Sequence, residues 1–121
     1  MRRNKFGAKK TNINGIIFDS KAEANHYIKL KHREKIGEIS FLELQPKFLL
    51  QDKFKLNGKT HRKIDYEADF KYFDNKLQAH VVVDVKGMKT KVYSIKMKMF
   101  LKLYSDDYIF IEVYKGIEKT F

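Results

Sequence analysis

The 121-residue chain has no cysteine, no tryptophan and one proline. Without cysteine, disulfides, thiolate zinc sites and cysteine nucleophiles are excluded, and a reducing compartment, by default the cytoplasm, is expected. No apolar run approaches the ~20 residues of a membrane span. The start, Met1-Arg2-Arg3-Asn4-Lys5, lacks the apolar stretch of a signal peptide, so no membrane partner is expected. Acidic charge is also scarce: 15 Asp and Glu against 26 Lys and Arg leave a formal charge of +11. Such a field attracts polyanions, nucleic acid first among them. Arginine is limited to Arg2, Arg3, Arg33 and Arg62. Base reading in the major groove leans on bidentate arginine, so a lysine-rich surplus favours phosphate contact over sequence reading.

A hydrophobic content of 43%, 14% of the chain being aromatic, suffices for one core and one domain. Residues 1–10 hold Arg2, Arg3, Lys5, Lys9 and Lys10 without an acid or a periodic apolar pattern, which reads as a basic arm ahead of a single domain over 11–121. Asn14-Gly15 and Asn57-Gly58 are two-residue hairpin signals. Ser20 and Glu23 form a capping box, and Ala24, Tyr27, Ile28 and Leu30 then recur at helical spacing, which predicts a helix over 20–36. Residues 39–51 read as extended but interrupted by Pro46. Ile64, Tyr66, Ala68, Phe70 and Tyr72 alternate with charged residues and predict one continuous strand with one apolar face. The β-branched run Ala79 to Lys86 pairs with it as a hairpin. A basic helix over 94–104, with Ile95, Met99 and Leu103 on one stripe beside Phe100, then leads to a final strand over 108–114, the pattern of a parallel β-α-β unit. The fold class is α/β, in the order α-β-β-β-α-β, with a mixed sheet flanked by helices.

Strand alternation places Asp84 and Lys86 on the same face of one hairpin arm, with Asp69 on the adjacent arm. Val82 shares that face, so Asp84 borders an apolar environment where a cation offsets the cost of its charge. Mg²⁺ takes oxygen ligands and retains waters, so two carboxylates and a backbone carbonyl suit it, in an arrangement able to hydrolyse phosphodiesters. His26, His32, His61 and His80 show no metal-ligand spacing.

Asp69 followed by Asp84-Val85-Lys86 resembles the signature of the PD-(D/E)XK nuclease superfamily. The segments Ile17-Phe18-Asp19-Ser20-Lys21-Ala22-Glu23-Ala24, Leu44-Gln45-Pro46-Lys47-Phe48, Tyr66-Glu67-Ala68-Asp69-Phe70 and Asp84-Val85-Lys86-Gly87 resemble a family of small phage nucleases of formerly unknown function, Holliday-junction-resolvase-like. Ala68 stands where the superfamily name has proline, a residue that ligates nothing. The resemblance implies a restriction-endonuclease-like core. In it Asp69, Asp84, the Val85 carbonyl and the helix-borne Glu23 hold Mg²⁺, for which Mn²⁺ can substitute, and Lys86 orients the attacking water or stabilises charge at phosphorus. It further implies a homodimer acting on branched DNA in recombination or replication, in the host cytoplasm if phage-encoded.

Each assignment has a simpler counterpart. Asp69 and Asp84 can also be read as solvated acids paired with Lys71 or Lys86, and Glu23 as a helix cap alone. Lys89, Lys91, Lys96, Lys98 and Lys102 are either a solvated helix face or, in an acid-free run from Lys86 to Lys102, a phosphate-binding one. Most strand aromatics are core, Tyr93 being expected among exposed base-stacking candidates. The rival functions are a less selective nuclease or nickase, a non-catalytic basic DNA-binding module, and a structural phage protein that organises DNA.

Overall fold

The computed structural model describes residues 10–121. Arg2, Arg3, Lys5 and Lys9 of the expected arm lie outside the described residues; Lys10 is exposed. The domain opens with a hairpin, β1 (Thr11–Ile13) and β2 (Ile16–Phe18). Its turn puts Asn14 and Gly15 at φ 51° and 86°, the left-handed pair that matches strand twist and that this dipeptide tolerates. Helix α1 (Lys21–Lys35) starts where Ser20 Oγ accepts the N–H of Glu23 at 3.1 Å, and it buries Ala24, Tyr27 and Leu30.

Five strands form the central sheet: β3 (Ile39–Leu44), β8 (Phe70–Asp74), β9 (Ala79–Lys86), β10 (Ile109–Tyr114) and β11 (Ile117–Thr120), in spatial order β11-β10-β9-β8-β3. Only β9 and β10 are parallel, joined through α2 (Lys91–Tyr104), so the sheet is mixed. The sequence α1, β3, β8, β9, α2, β10 matches the expected order. Between β3 and β8 lie two further antiparallel pairs, β4 (Lys47–Gln51) with β7 (Ile64–Glu67), and β5 (Phe54–Leu56) with β6 (Lys59–His61). Helix α1 packs against β3 and β9, and α2 against β4 and β7. No helix among the described residues is long and apolar enough to cross a membrane.

Three expectations are corrected. The strand over 64–72 is two strands, interrupted at Ala68-Asp69. Tyr66 and Ala68 join the core beneath α2, whereas Phe70 and Tyr72 join the core beneath α1. Helix α2 begins at Lys91, because Thr90 Oγ1 accepts the Tyr93 N–H at 3.1 Å and caps it. Its buried face is turned from the expected stripe: Ile95 and Leu103 are 60% and 52% exposed, Met99 is half-buried against the core, and Tyr93 and Phe100 are buried. The aromatic face wins because each ring removes more apolar surface from water than an aliphatic chain. Strand β11 has no counterpart in the sequence reading.

Candidate active site

The interruption at Ala68-Asp69 builds the site. Up to Phe70, paired with Val83, β8 follows β9. Beyond it the chain departs to pair with β4, anchored by hydrogen bonds from Ala68 N–H to the Pro46 carbonyl and from Gln45 N–H to the Asp69 carbonyl. Strand β9 would be left with unpaired backbone groups at this point, which burial makes costly. Asp69 supplies both replacements: its N–H donates to the Val83 carbonyl at 3.1 Å, and its Oδ2 accepts the Val85 N–H at 2.6 Å. The carboxylate is thus fixed at the opened end of the hairpin.

Asp84 is 0% exposed, which removes the solvated-acid reading for that residue. Its Oδ2 accepts a hydrogen bond from the Tyr66 hydroxyl. Its Oδ1 is ion-paired with the Lys86 ammonium at 3.0 Å, so each carboxylate oxygen has its own partner. Lys86 lies over the Tyr93 ring, 4.5 Å from its centroid. The Tyr93 hydroxyl donates to Glu112 Oε2 at 2.7 Å, and Lys89 Nζ approaches Glu112 Oε1 at 2.7 Å. Glu112 stands in parallel register with Asp84, so the two buried acids are neighbours on one sheet face.

Glu23 comes from the first turn of α1 and is also buried. Burial, then the charges of Asp19 and Asp84, push its carboxyl up to about 7 against the opposing pull of Lys86. Asp69 is raised well above the ordinary range by burial, Asp84 and Glu23. Asp84 is raised by burial, partly offset by Lys86 and Tyr66. Burial works against the charge on Lys86, but Asp84 outweighs it and raises the ammonium pKa. Three mutually repelling carboxyls against one ammonium leave the cluster short of positive charge.

A cavity of about 90 Å³ is lined by Ile16, Ile17, Phe18, Glu23, Leu44, Gln45 and Asp69. That is space for about three waters, the scale of a partly hydrated ion. Among the described residues no three His, Asp or Glu side chains stand in a ligating arrangement. One oxygen of Asp84 is held by Tyr66 and one of Asp69 by the Val85 N–H. Glu23 and Asp69 line the cavity and Asp84 does not; the donors are carboxylate oxygens, the kind a hard divalent cation takes.

Of the lysines expected to meet phosphate, Lys91, Lys98 and Lys102 are exposed and Lys96 is half-buried on α2. Lys89 differs: it precedes the helix, pairs with Glu112 and lies 4.5 Å from the Tyr114 ring centroid. Tyr93 is 7% exposed and cannot offer its face to a base. Tyr66, Glu112 and the anchoring role of Tyr93 escaped sequence reading. A lone acid inside the apolar run Ile109 to Val113 was the available signal for Glu112, since a strand buried on both faces keeps an acid only with a partner.

Comparison with known proteins adds little on chemistry. No curated protein matches the chain. A solved structure titled "Crystal structure of SSO0001" is similar over 82% of this chain and 46% of its own, at 16% identity and a TM-score of 0.43, so the chain spans about half its length. The family model described as "Protein of unknown function (DUF1064)" matches residues 3–115, nearly the whole chain, and the chain belongs to that family.

Proposed function

We propose that the chain is a metal-dependent DNA endonuclease built on a restriction-endonuclease-like core of the PD-(D/E)XK type. The observation that carries this reading is the electrostatic coupling of Glu23, Asp69, Asp84 and Lys86 where β7 parts from β8, with the buried Asp84 paired to Lys86. Glu23, Asp69, Asp84 and the Val85 carbonyl would hold Mg²⁺ or Mn²⁺, which when bound supplies Lewis-acid polarisation and a water of lowered pKa. Lys86, held by Asp84 and the Tyr93 ring, is placed to orient the attacking water or to stabilise negative charge on a phosphate oxygen. Lys91, Lys96, Lys98 and Lys102 have no carboxylate partner among the described residues and suit a phosphate backbone.

Branched DNA is the proposed substrate and a homodimer the proposed form, since two symmetric cuts across a four-way junction need two active sites. The test is a cleavage gel of the full chain with Mg²⁺ or EDTA on labelled four-way, flap and linear duplex DNA. Mg²⁺-dependent products, strongest on the junction, are expected. Equal cleavage of all three substrates leaves a less selective nuclease or nickase. Binding without cleavage removes the nuclease reading and leaves a basic DNA-binding module, for which the unpaired α2 lysines suffice.

A further inference from the structure

We propose that Tyr66 is a positioning residue for Asp84: its hydroxyl occupies Oδ2, so that Asp84 presents Oδ1 alone to a bound cation. The inference rests on the nuclease reading for its consequence in cleavage, but its binding geometry stands apart from that reading. Tyr66 belongs to β7, outside the central sheet, and reaches the β9 carboxylate from the separate β4–β7 layer. Its ring is held by Phe48, Phe100, Phe110 and Tyr93, with centroids 6.5, 5.3, 6.4 and 6.4 Å away. A ring so enclosed has one freedom left, rotation of the hydroxyl, and the Asp84 oxygen takes it. A carboxylate with both oxygens open turns about its last torsion and chelates with either or both. With Oδ2 taken, the oxygen left to a cation is Oδ1, on the side where Lys86 Nζ stands 3.0 Å away. The arrangement therefore trades cation affinity for a fixed ligand direction, which is what in-line chemistry at phosphorus needs.

Tyr66→Phe keeps the ring and removes the hydroxyl. Mn²⁺ affinity is read without DNA, from free Mn²⁺ counted by EPR, and cleavage is read at saturating Mg²⁺. The variant should bind Mn²⁺ about threefold or more tightly, because a carboxylate relieved of a donor offers more charge to a cation. It should cleave about 10- to 100-fold more slowly, with DNA affinity in EDTA unchanged. Opposite movement of the two readouts is the signature; a purely structural role for the hydroxyl lowers both together. Unchanged Mn²⁺ affinity and cleavage, or a parallel loss of both, overturns the proposal. Should Tyr66→Phe fail to fold, the wild-type protein carries the test. The Tyr66 hydroxyl proton, assigned through its ring protons, should be protected from exchange with water and persist when Mg²⁺ saturates the site. Its disappearance on adding Mg²⁺ overturns the proposal. Wild-type protein that binds Mn²⁺ and keeps this resonance yet cleaves no DNA sinks the nuclease reading and leaves the Tyr66 assignment standing.

Discussion

Strand β9 has two faces held by different physics. Toward α1, Val81, Val83 and Val85 meet Phe70, Tyr72, Ala24 and Leu30 in an apolar cluster. Toward α2, Val82 lies under Phe100, Tyr66 and Phe110, but the next two positions are Asp84 and Lys86, with Glu112 alongside. The first face gains free energy from every group it removes from water. The second surrenders some of that gain, because burying ions costs several kcal/mol each before pairing repays it. One strand thus carries an apolar face and a charged one, and substitutions at equal depth on the two faces should behave differently.

The largest contrast sets Phe70→Ala against Asp84→Asn, both at fully buried positions. Phe70 packs on Tyr27 and His26, at centroid distances of 6.4 and 5.6 Å. Its truncation should cost about 3–5 kcal/mol, read by urea denaturation. Asp84→Asn keeps the shape and an acceptor for Tyr66 while deleting a buried charge. Its stability in metal-free buffer should change by less than about 1 kcal/mol or rise, while Mg²⁺-dependent cleavage falls by about 100-fold or more. Unfolding by Asp84→Asn, or near-normal cleavage, would erase the distinction between the faces.

Much of this division was legible because it follows from backbone periodicity. The Asp84-Val85-Lys86 spacing puts acid and lysine on one face of any strand, and Asn14-Gly15 favours the turn that closes the β1–β2 hairpin. What escaped depended on partners distant in sequence. The alternation from Ile64 to Tyr72 runs unbroken through Ala68-Asp69, so nothing local announces that β4 captures the first half and β9 the second. Helix α2 carries an aliphatic and an aromatic stripe, and the cavity it fills decides between them. Strand β11 follows a turn at Lys115-Gly116, with φ of 51° and 77°; lysine is an unusual first residue there, and the hairpin signal was too weak to read. The Tyr66–Asp84 bond spans 18 residues and two sheets, so it leaves no local pattern.

A second test uses pH. An unfolded chain ionises Glu23 near pH 4.5, whereas the folded chain holds its proton to about pH 7. Stability of the metal-free protein should therefore fall as pH rises across that interval and level off above it, by up to about 3 kcal/mol from Glu23. Asp69 and Asp84 are raised too and act in the same direction. Glu23→Gln, which keeps the Ser20 cap, should flatten the trend: a higher melting temperature than wild type at pH 7.5, little change at pH 4.5, and weakened cleavage at limiting Mg²⁺. A wild-type protein that gains stability from pH 4.5 to 7.5 would mean that these carboxyls are not strained.

The smallest effect separates the two acids that share one face. Burial works against Glu112 as it does against Asp84, but the Lys89 and Tyr93 hydrogen bonds outweigh it and hold its carboxyl below the ordinary range. Asp84 ends on the other side of that range because Lys86 and Tyr66 do not fully offset its burial. Glu112 is therefore a satisfied anchor. A depressed carboxylate contributes stability above its unfolded pKa and loses it as pH falls through the folded one. Lys89→Met keeps most of the stem and removes the charge, leaving Tyr93 as the donor to a nearly buried carboxylate. The cost at pH 7.5 should be about 1–2 kcal/mol by thermal denaturation, discounted because Lys89 is itself partly exposed. It should shrink toward pH 4 as Glu112 takes up a proton. Mg²⁺-dependent cleavage per folded molecule should stay within about twofold of wild type, since the Tyr93 ring still supports Lys86. A loss of cleavage as deep as that of Asp84→Asn, with stability intact, would move Glu112 from the anchoring part of the face to the reacting part.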